Sequence, residues 1–282
     1  MNKQQLIVIS GAVLLLFSLF FFGRTKPHQG PVTAAPQANR STESVDIAAF
    51  VEHAKSELTP AQQAKLTRME NSIVRGDLQT QKSRLFDELA LFWRDSARQD
   101  LLYCYYSGEK AKLENSEKSL TFAANLFLQE LKSTEQPELR SWMALQAKDL
   151  FQKALEKNPN NDSSQIGLGS TYFFGAAGGG SPMEGIQRIR AVAERDSLNL
   201  YAQFMLAYGG VLSGQFDKAI ERLLRVVKAD PSNSEAVFLL AEAYEQKGDA
   251  PNAIKWYEAG KKFVTRPEVL HEIEMRINAL KK

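Results

Sequence analysis

Apolar and polar positions follow helical spacing through most of the chain after residue 45. Near the C-terminus the pattern also repeats. Leu206-Ala207 recurs 34 residues later as Leu240-Ala241, Gly214 as Gly248 and Ala219 as Ala253, and Leu223 is answered by Tyr257. A fixed period of this length predicts stacked helical hairpins. The small residues mark close helix crossings. Gly214 and Gly248 stand where a first helix ends, because glycine takes the left-handed conformation at least cost. Pro231 follows a second helix that it cannot continue. The expected fold is therefore an all-α solenoid of helical hairpins, with an extended concave surface.

The set Leu206, Ala207, Gly214, Ala219, Leu223 and Pro231, followed by Leu240, Ala241, Tyr244, Gly248, Ala253 and Tyr257, resembles the tetratricopeptide repeat (TPR) family. Upstream, Ala147, Phe151, Ala154 and Pro159 fit a second helix and its terminal proline. Leu168, Gly169 and Tyr172 fit the next first helix, and Gly185, Ile189 and Val192 its partner, with an insertion of about four residues at Gly175–Gly180. The resemblance covers 118–267, with the best matched repeats at 162–199, 200–233 and 234–267. In the earliest copy the first helix is expected at Lys118–Leu131, and extra residues precede the matched second-helix positions. After Pro267, residues Val269, Leu270, Ile273, Ile277 and Leu280 form one apolar stripe opposite Glu268, Glu272, Arg276 and Lys281. Residues 268–282 thus read as a capping helix with one buried face.

The N-terminal pattern differs. Leu6–Phe22 is an uncharged apolar run of 17 residues. It would span roughly 26 Å as a helix, near the lower limit for a membrane core of about 30 Å. It reads as a transmembrane signal-anchor (6–22) after a short tail (1–5). The competing reading is a cleaved signal peptide, but Gly23-Arg24-Thr25-Lys26-Pro27 follows where small residues would be expected. Residues 23–44, rich in Pro, Ala, Gln, Thr and Ser, read as a disordered spacer. The expectation is a single-pass protein of the inner, cytoplasmic membrane with its C-terminal domain in the periplasm. In architecture it resembles single-span bacterial TPR proteins that accompany secretion or envelope-assembly machinery.

Residues 45–117 read as an N-terminal helical region, two or three helices packed on the solenoid end. Thr59-Pro60-Ala61-Gln62 has the capping hydroxyl, first-turn proline and following Gln of a helix start. Gly76 separates that helix from Gln79–Ala97, and Leu101–Tyr106 follow.

Charge changes the picture little. The chain carries 35 Lys+Arg and 33 Asp+Glu, a net of +2. Without Lys3, Arg24 and Lys26 beside the apolar run, 32 positive charges face 33 negative ones. No basic nucleic-acid face is indicated. The lone Cys104 sits among Leu102, Tyr103, Tyr105 and Tyr106, with no basic neighbour to lower its pKa, so it reads as a structural thiol. His28, His53 and His271 lack metal-ligand spacing. Gly175–Gly180 lacks the Lys-Ser/Thr of a phosphate loop. Ser181-Pro182-Met183-Glu184 reads instead as a capping box, so the glycines are a connector. No catalytic residue, metal or cofactor is assigned, and an enzyme is disfavoured.

The TPR resemblance implies that the first helices line a groove. The matching positions are Phe173, Phe174, Tyr201, Phe204, Tyr208 and Phe238, with Glu235, Glu242 and Glu245 beside them. Such an apolar set is more than a solvated face requires. It implies a protein or peptide partner, apolar or aromatic with basic flanks. The family's clamp for a C-terminal carboxylate needs Lys and Asn at groove positions, which the matched helices lack. The expected function is a non-catalytic adaptor in the cell envelope, anchored by the N-terminal helix. The alternative is a periplasmic holdase.

Overall fold

The computed structural model describes residues 45–72, 78–174 and 181–282. All regular elements among them are helical. The order is α1 (Ile47–Ser56), α2 (Pro60–Glu70), α3 (Leu78–Leu91), α4 (Asp100–Glu114), α5 (Glu117–Ser133), α6 (Pro137–Lys157), α7 (Asp162–Phe174), α8 (Pro182–Arg195), α9 (Leu200–Leu212), α10 (Phe216–Ala229), α11 (Ser234–Lys247), α12 (Ala250–Gly260) and α13 (Pro267–Leu280). A π-helical turn, Phe92–Ser96, extends α3, and a 3-10 turn, Lys261–Phe263, follows α12.

The pairs α5/α6, α7/α8, α9/α10 and α11/α12 pack as hairpins. The first helices also meet their counterparts in the next hairpin: α5 packs on α7, α7 on α9 and α9 on α11. This row of first helices forms one wall of the solenoid. The hairpin ends follow from local chemistry. Gly214 has φ +73° and Gly248 φ +84°, both in the left-handed region that reverses the chain after a first helix. The first helices α9 and α11 themselves start on side-chain caps: Asn199 accepts from the Ala202 amide at 2.9 Å and Asn233 from the Ala236 amide at 2.9 Å.

The hairpin crossings lie at small residues. Ala219 and Ala253 are 34 residues apart, and Gly185 lies 34 before Ala219. Ala207, Ala219, Ala241 and Ala253 are all buried. In α7/α8 both crossing residues are glycines. A Cβ added at Gly185 would come within 2.3 Å of the Gly169 carbonyl oxygen, and one at Gly169 within 2.8 Å of the Gly185 carbonyl oxygen.

Several expectations change. The earliest hairpin carries no long connector, because α6 begins at Pro137, more than two turns before the matched Ala147, and only Thr134–Gln136 separate it from α5. Four helices, α1 to α4, precede the solenoid where two or three were expected. Their core holds the fully buried Trp93 and Leu102, and it continues into the solenoid through the packing of α4 on α5. The Thr59 capping box forms, with the Gln62 amide donating to Thr59 Oγ1 at 3.3 Å and the Thr59 amide to Gln62 Oε1 at 2.9 Å. The Ser181 box does not form. Ser181 makes no side-chain cap, and Glu184 accepts instead from Tyr172 at 3.3 Å and Arg188 at 3.2 Å. On α13, Ile273 and Ile277 are buried against α12 as the stripe requires.

The localisation is corrected. No helix among the described residues is long and apolar enough to cross a membrane. The Leu6–Phe22 run and the 23–44 spacer on which a periplasmic, single-pass arrangement depended lie outside the described residues, as do Gly76 and Gly175–Gly180. The inner-membrane assignment is withdrawn with them.

Candidate functional site

The wall of first helices bears a cleft of about 520 Å³. Its aromatic floor comes from three successive hairpins: Phe173 and Phe174 at the end of α7, Phe204 and Tyr208 on α9, and Phe238 on α11. The helical period explains the convergence. Phe204 and Phe238 are 34 residues apart and occupy equivalent places in their repeats. Phe204 and Tyr208 are four apart on one helix face.

The rings are seated by their neighbours. Phe174 and Tyr208 stack tilted, with centroids 5.0 Å apart. Phe173 lies on Gly209, where an added Cβ would come within 3.3 Å of the ring. Phe238 lies on Gly260, where a Cβ would come within 2.5 Å of it. Neither glycine leaves room for a side chain without moving a floor ring. Phe204 is 8% exposed, whereas Phe173, Phe174, Tyr208 and Phe238 are half-buried and present ring surface to solvent. Burial pushes the Tyr208 hydroxyl pKa up, and the nearby Glu242 and Glu235 add to this while Arg140 opposes it. The phenol stays neutral and keeps its proton as a donor.

Seven of the nine expected groove residues therefore meet in one cleft: Phe173, Phe174, Phe204, Tyr208, Phe238, Glu235 and Glu242. Two do not. Tyr201, 38% exposed, lies one turn earlier on α9 and directs its hydroxyl to the buried Ser170 of α7. Glu245 lies one turn further along α11, accepting from the Tyr257 hydroxyl at 2.7 Å and from Arg276 Nε at 2.7 Å. It ties α11 to α12 and α13.

Five lining residues escaped the sequence reading: the apolar Leu131, Leu212 and Leu239, and two that carry charge. Lys132, in the last turn of α5, and Arg140, in the first turn of α6, line the same cleft. Lys132 Nζ stands 5.4 Å from the Phe174 ring centroid. Arg140 donates from Nε at 3.1 Å and Nη2 at 2.6 Å to the Thr134 carbonyl, which fixes the guanidinium at the α5–α6 turn. The available signal was Pro137, a first-turn proline that starts α6 early and brings Arg140 beside the end of α5.

Other chemistry is sparse. Cys104 is buried, and desolvation with the nearby Glu130 and Asp100 pushes its pKa up to about 12. A protonated thiol there is a poor nucleophile. His53 faces Glu57 on the surface at 3.6 Å. Among the described residues no three His, Cys, Asp or Glu side chains cluster as metal ligands would.

Comparison with known proteins gives the repeat its family. Residues 213–263 match the model described as Tetratricopeptide repeat. No curated protein matches the chain. Among solved structures the chain is similar to a MamA protein at 15% identity, covering 65% of this chain and 92% of that one with a TM-score of 0.44. It is similar to MamA 41-end from Desulfovibrio magneticus RS-1 at 18% identity, covering 67% and 96%, TM-score 0.44. It is also similar to YrrB, described as a TPR protein with an unusual peptide-binding site, at 15% identity, covering 74% and 96%, TM-score 0.44. The repeat match and the stacked hairpins that precede it make the described residues an all-helical solenoid of the TPR-like kind.

Proposed function

We propose that this protein is a non-catalytic adaptor that holds a segment of another protein in the cleft of its first helices. The observation that carries this reading is the aromatic floor itself. Four half-buried rings from three hairpins line one cleft and keep part of their surface open to solvent. Partly buried aromatics in a concave site make strong anchors, because they bring large apolar area at small entropic cost. The acidic pair Glu235 and Glu242 and the basic pair Lys132 and Arg140 give the rim a polar character suited to register and steering.

A photocrosslinking side chain placed at Tyr208 tests the reading in cells, with the same group at Leu224, an exposed position on the second helix α10, as control. One dominant product from Tyr208 and none from Leu224 is expected. Equal products from both positions would remove the cleft as the site. Many unrelated products from Tyr208 alone would mark a holdase for unfolded chains instead of an adaptor.

A further inference from the structure

The cleft also carries charges that describe its occupant. Along the solenoid the lining runs from Lys132 and Arg140 on α5 and α6, through Phe173 and Phe174 on α7, to Phe204 and Tyr208 on α9, and ends with Glu235, Phe238 and Glu242 on α11. Like charges are thus paired at each end, with the rings between them. Among the described residues none of these four side chains forms an ion pair. Elsewhere cations close on nearby carboxylates, as Lys153 does on Asp149 at 2.7 Å and Lys261 on Glu274 at 3.3 Å. A partner's opposite charge would therefore meet no competing ion pair at either end.

Resting on the groove reading, we propose that the bound segment is dipolar: an apolar centre seated on Phe174, Tyr208 and Phe238, an acidic end received by Lys132 and Arg140, and a basic end received by Glu235 and Glu242. Arg140 is suited to the acidic end because the Thr134 carbonyl already holds its guanidinium, so little ordering remains on binding. Lys132 lies over Phe174 and can reach a carboxylate without leaving the ring. Glu235 and Glu242 are seven residues apart on α11, two turns along one face, and can receive successive cations of an extended chain. The charges set which end of the segment lies where. They act mainly on encounter rate and register, while the rings supply most of the affinity.

Three fluorescent synthetic peptides test this with the full chain. All share a centre of phenylalanine and leucine. One has aspartates at one end and lysines at the other, one has lysines at both ends, and one has aspartates at both. The dipolar peptide should bind about tenfold or more tighter than either like-ended peptide, and its advantage should shrink as salt rises. A photocrosslinker beside its aspartates should mark α5 or α6, and one beside its lysines should mark α11. The fourfold variant Lys132→Glu, Arg140→Glu, Glu235→Lys and Glu242→Lys should keep the affinity and reverse the crosslinks. Arg140 braces a turn, so Lys132→Glu alone is the second variant. It should weaken the dipolar peptide several-fold and leave the lysine-ended one no weaker. Equal binding of all three peptides, abolished by Tyr208→Ala, would overturn the dipolar proposal and leave the groove standing. Binding of all three that Tyr208→Ala does not change would overturn the groove itself. Crosslinks that do not reverse in the fourfold variant would also overturn the polarity.

Discussion

Hairpin α7/α8 and the two hairpins after it solve the same packing problem with different residues. In α9/α10 and α11/α12 the crossing positions are buried alanines, Ala207 and Ala219 in one hairpin, where Gly210 also faces Ala219, and Ala241 and Ala253 in the other. In α7/α8 the equivalent positions are Gly169 and Gly185, and the backbones approach so closely that a single added methyl would strike a carbonyl oxygen. The alanine hairpins keep the 34-residue period. From Gly169 to Ala207 the spacing is 38 residues, so the glycine hairpin has a longer connector. The difference shows that the repeat specifies a size limit at the crossing rather than a residue type. It also shows that a hairpin can depart in loop length while its crossing becomes tighter. The cleft benefits from this arrangement, because α7 brings Phe173 and Phe174 into line with the rings of α9.

The same side chain introduced at equivalent crossings breaks the comparison most directly. Gly185→Leu should cost more than the roughly 1–3 kcal/mol of ordinary overpacking, because the Gly169 backbone, which cannot turn aside, is the nearest obstacle. Ala253→Leu should fall within that range, since this crossing already holds a Cβ. Thermal or urea unfolding of the two variants checks the order, and equal losses would mean that the crossings are equally close. Cys104 offers an internal reporter. It shares a core cluster with Leu168 and Tyr172 of α7, whereas Ala253 belongs to a cluster at the other end. In a solenoid, stability is carried by neighbouring contacts. Gly185→Leu should therefore speed reaction of the Cys104 thiol with a disulfide reagent more than Ala253→Leu does. The smallest effect is expected at Gly248, where nothing crowds an added Cβ and only the φ of +84° resists it. Gly248→Ala should cost about 1 kcal/mol, measured by the same unfolding curves.

The solenoid was legible because its constraints are local and repeated. A glycine that must take positive φ, a small residue at a crossing and a proline after a helix each leave a mark on the sequence at a fixed interval. The aromatic floor was legible for the same reason, since fixing the register put Phe204, Tyr208 and Phe238 on one face. What escaped depended on contacts between distant segments. Glu245 fits the groove period, but Tyr257 and Arg276 capture it from α12 and α13. Tyr201 has an apolar ring on a first helix, yet its hydroxyl finds Ser170 across the hairpin boundary. Lys132 and Arg140 belong to a hairpin with weak repeat pattern, whose early start at Pro137 brings them to the cleft. The core of α1 to α4, around Trp93 and Leu102, has no period to read and is built from contacts that no spacing announces.

The central claim is that the ring cleft on the first helices is where a protein partner binds. Tyr208 tests it best, because its ring is half-buried, stacks on Phe174 and has no buried hydrogen bond whose loss would confuse the result. The measurement is the affinity of the crosslinked partner for Tyr208→Ala, made on protein whose melting temperature stays close to the parent's. Truncating an aromatic anchor costs about 2 kcal/mol or more, so the account predicts a loss of roughly thirtyfold. An unchanged affinity in the folded variant would contradict it.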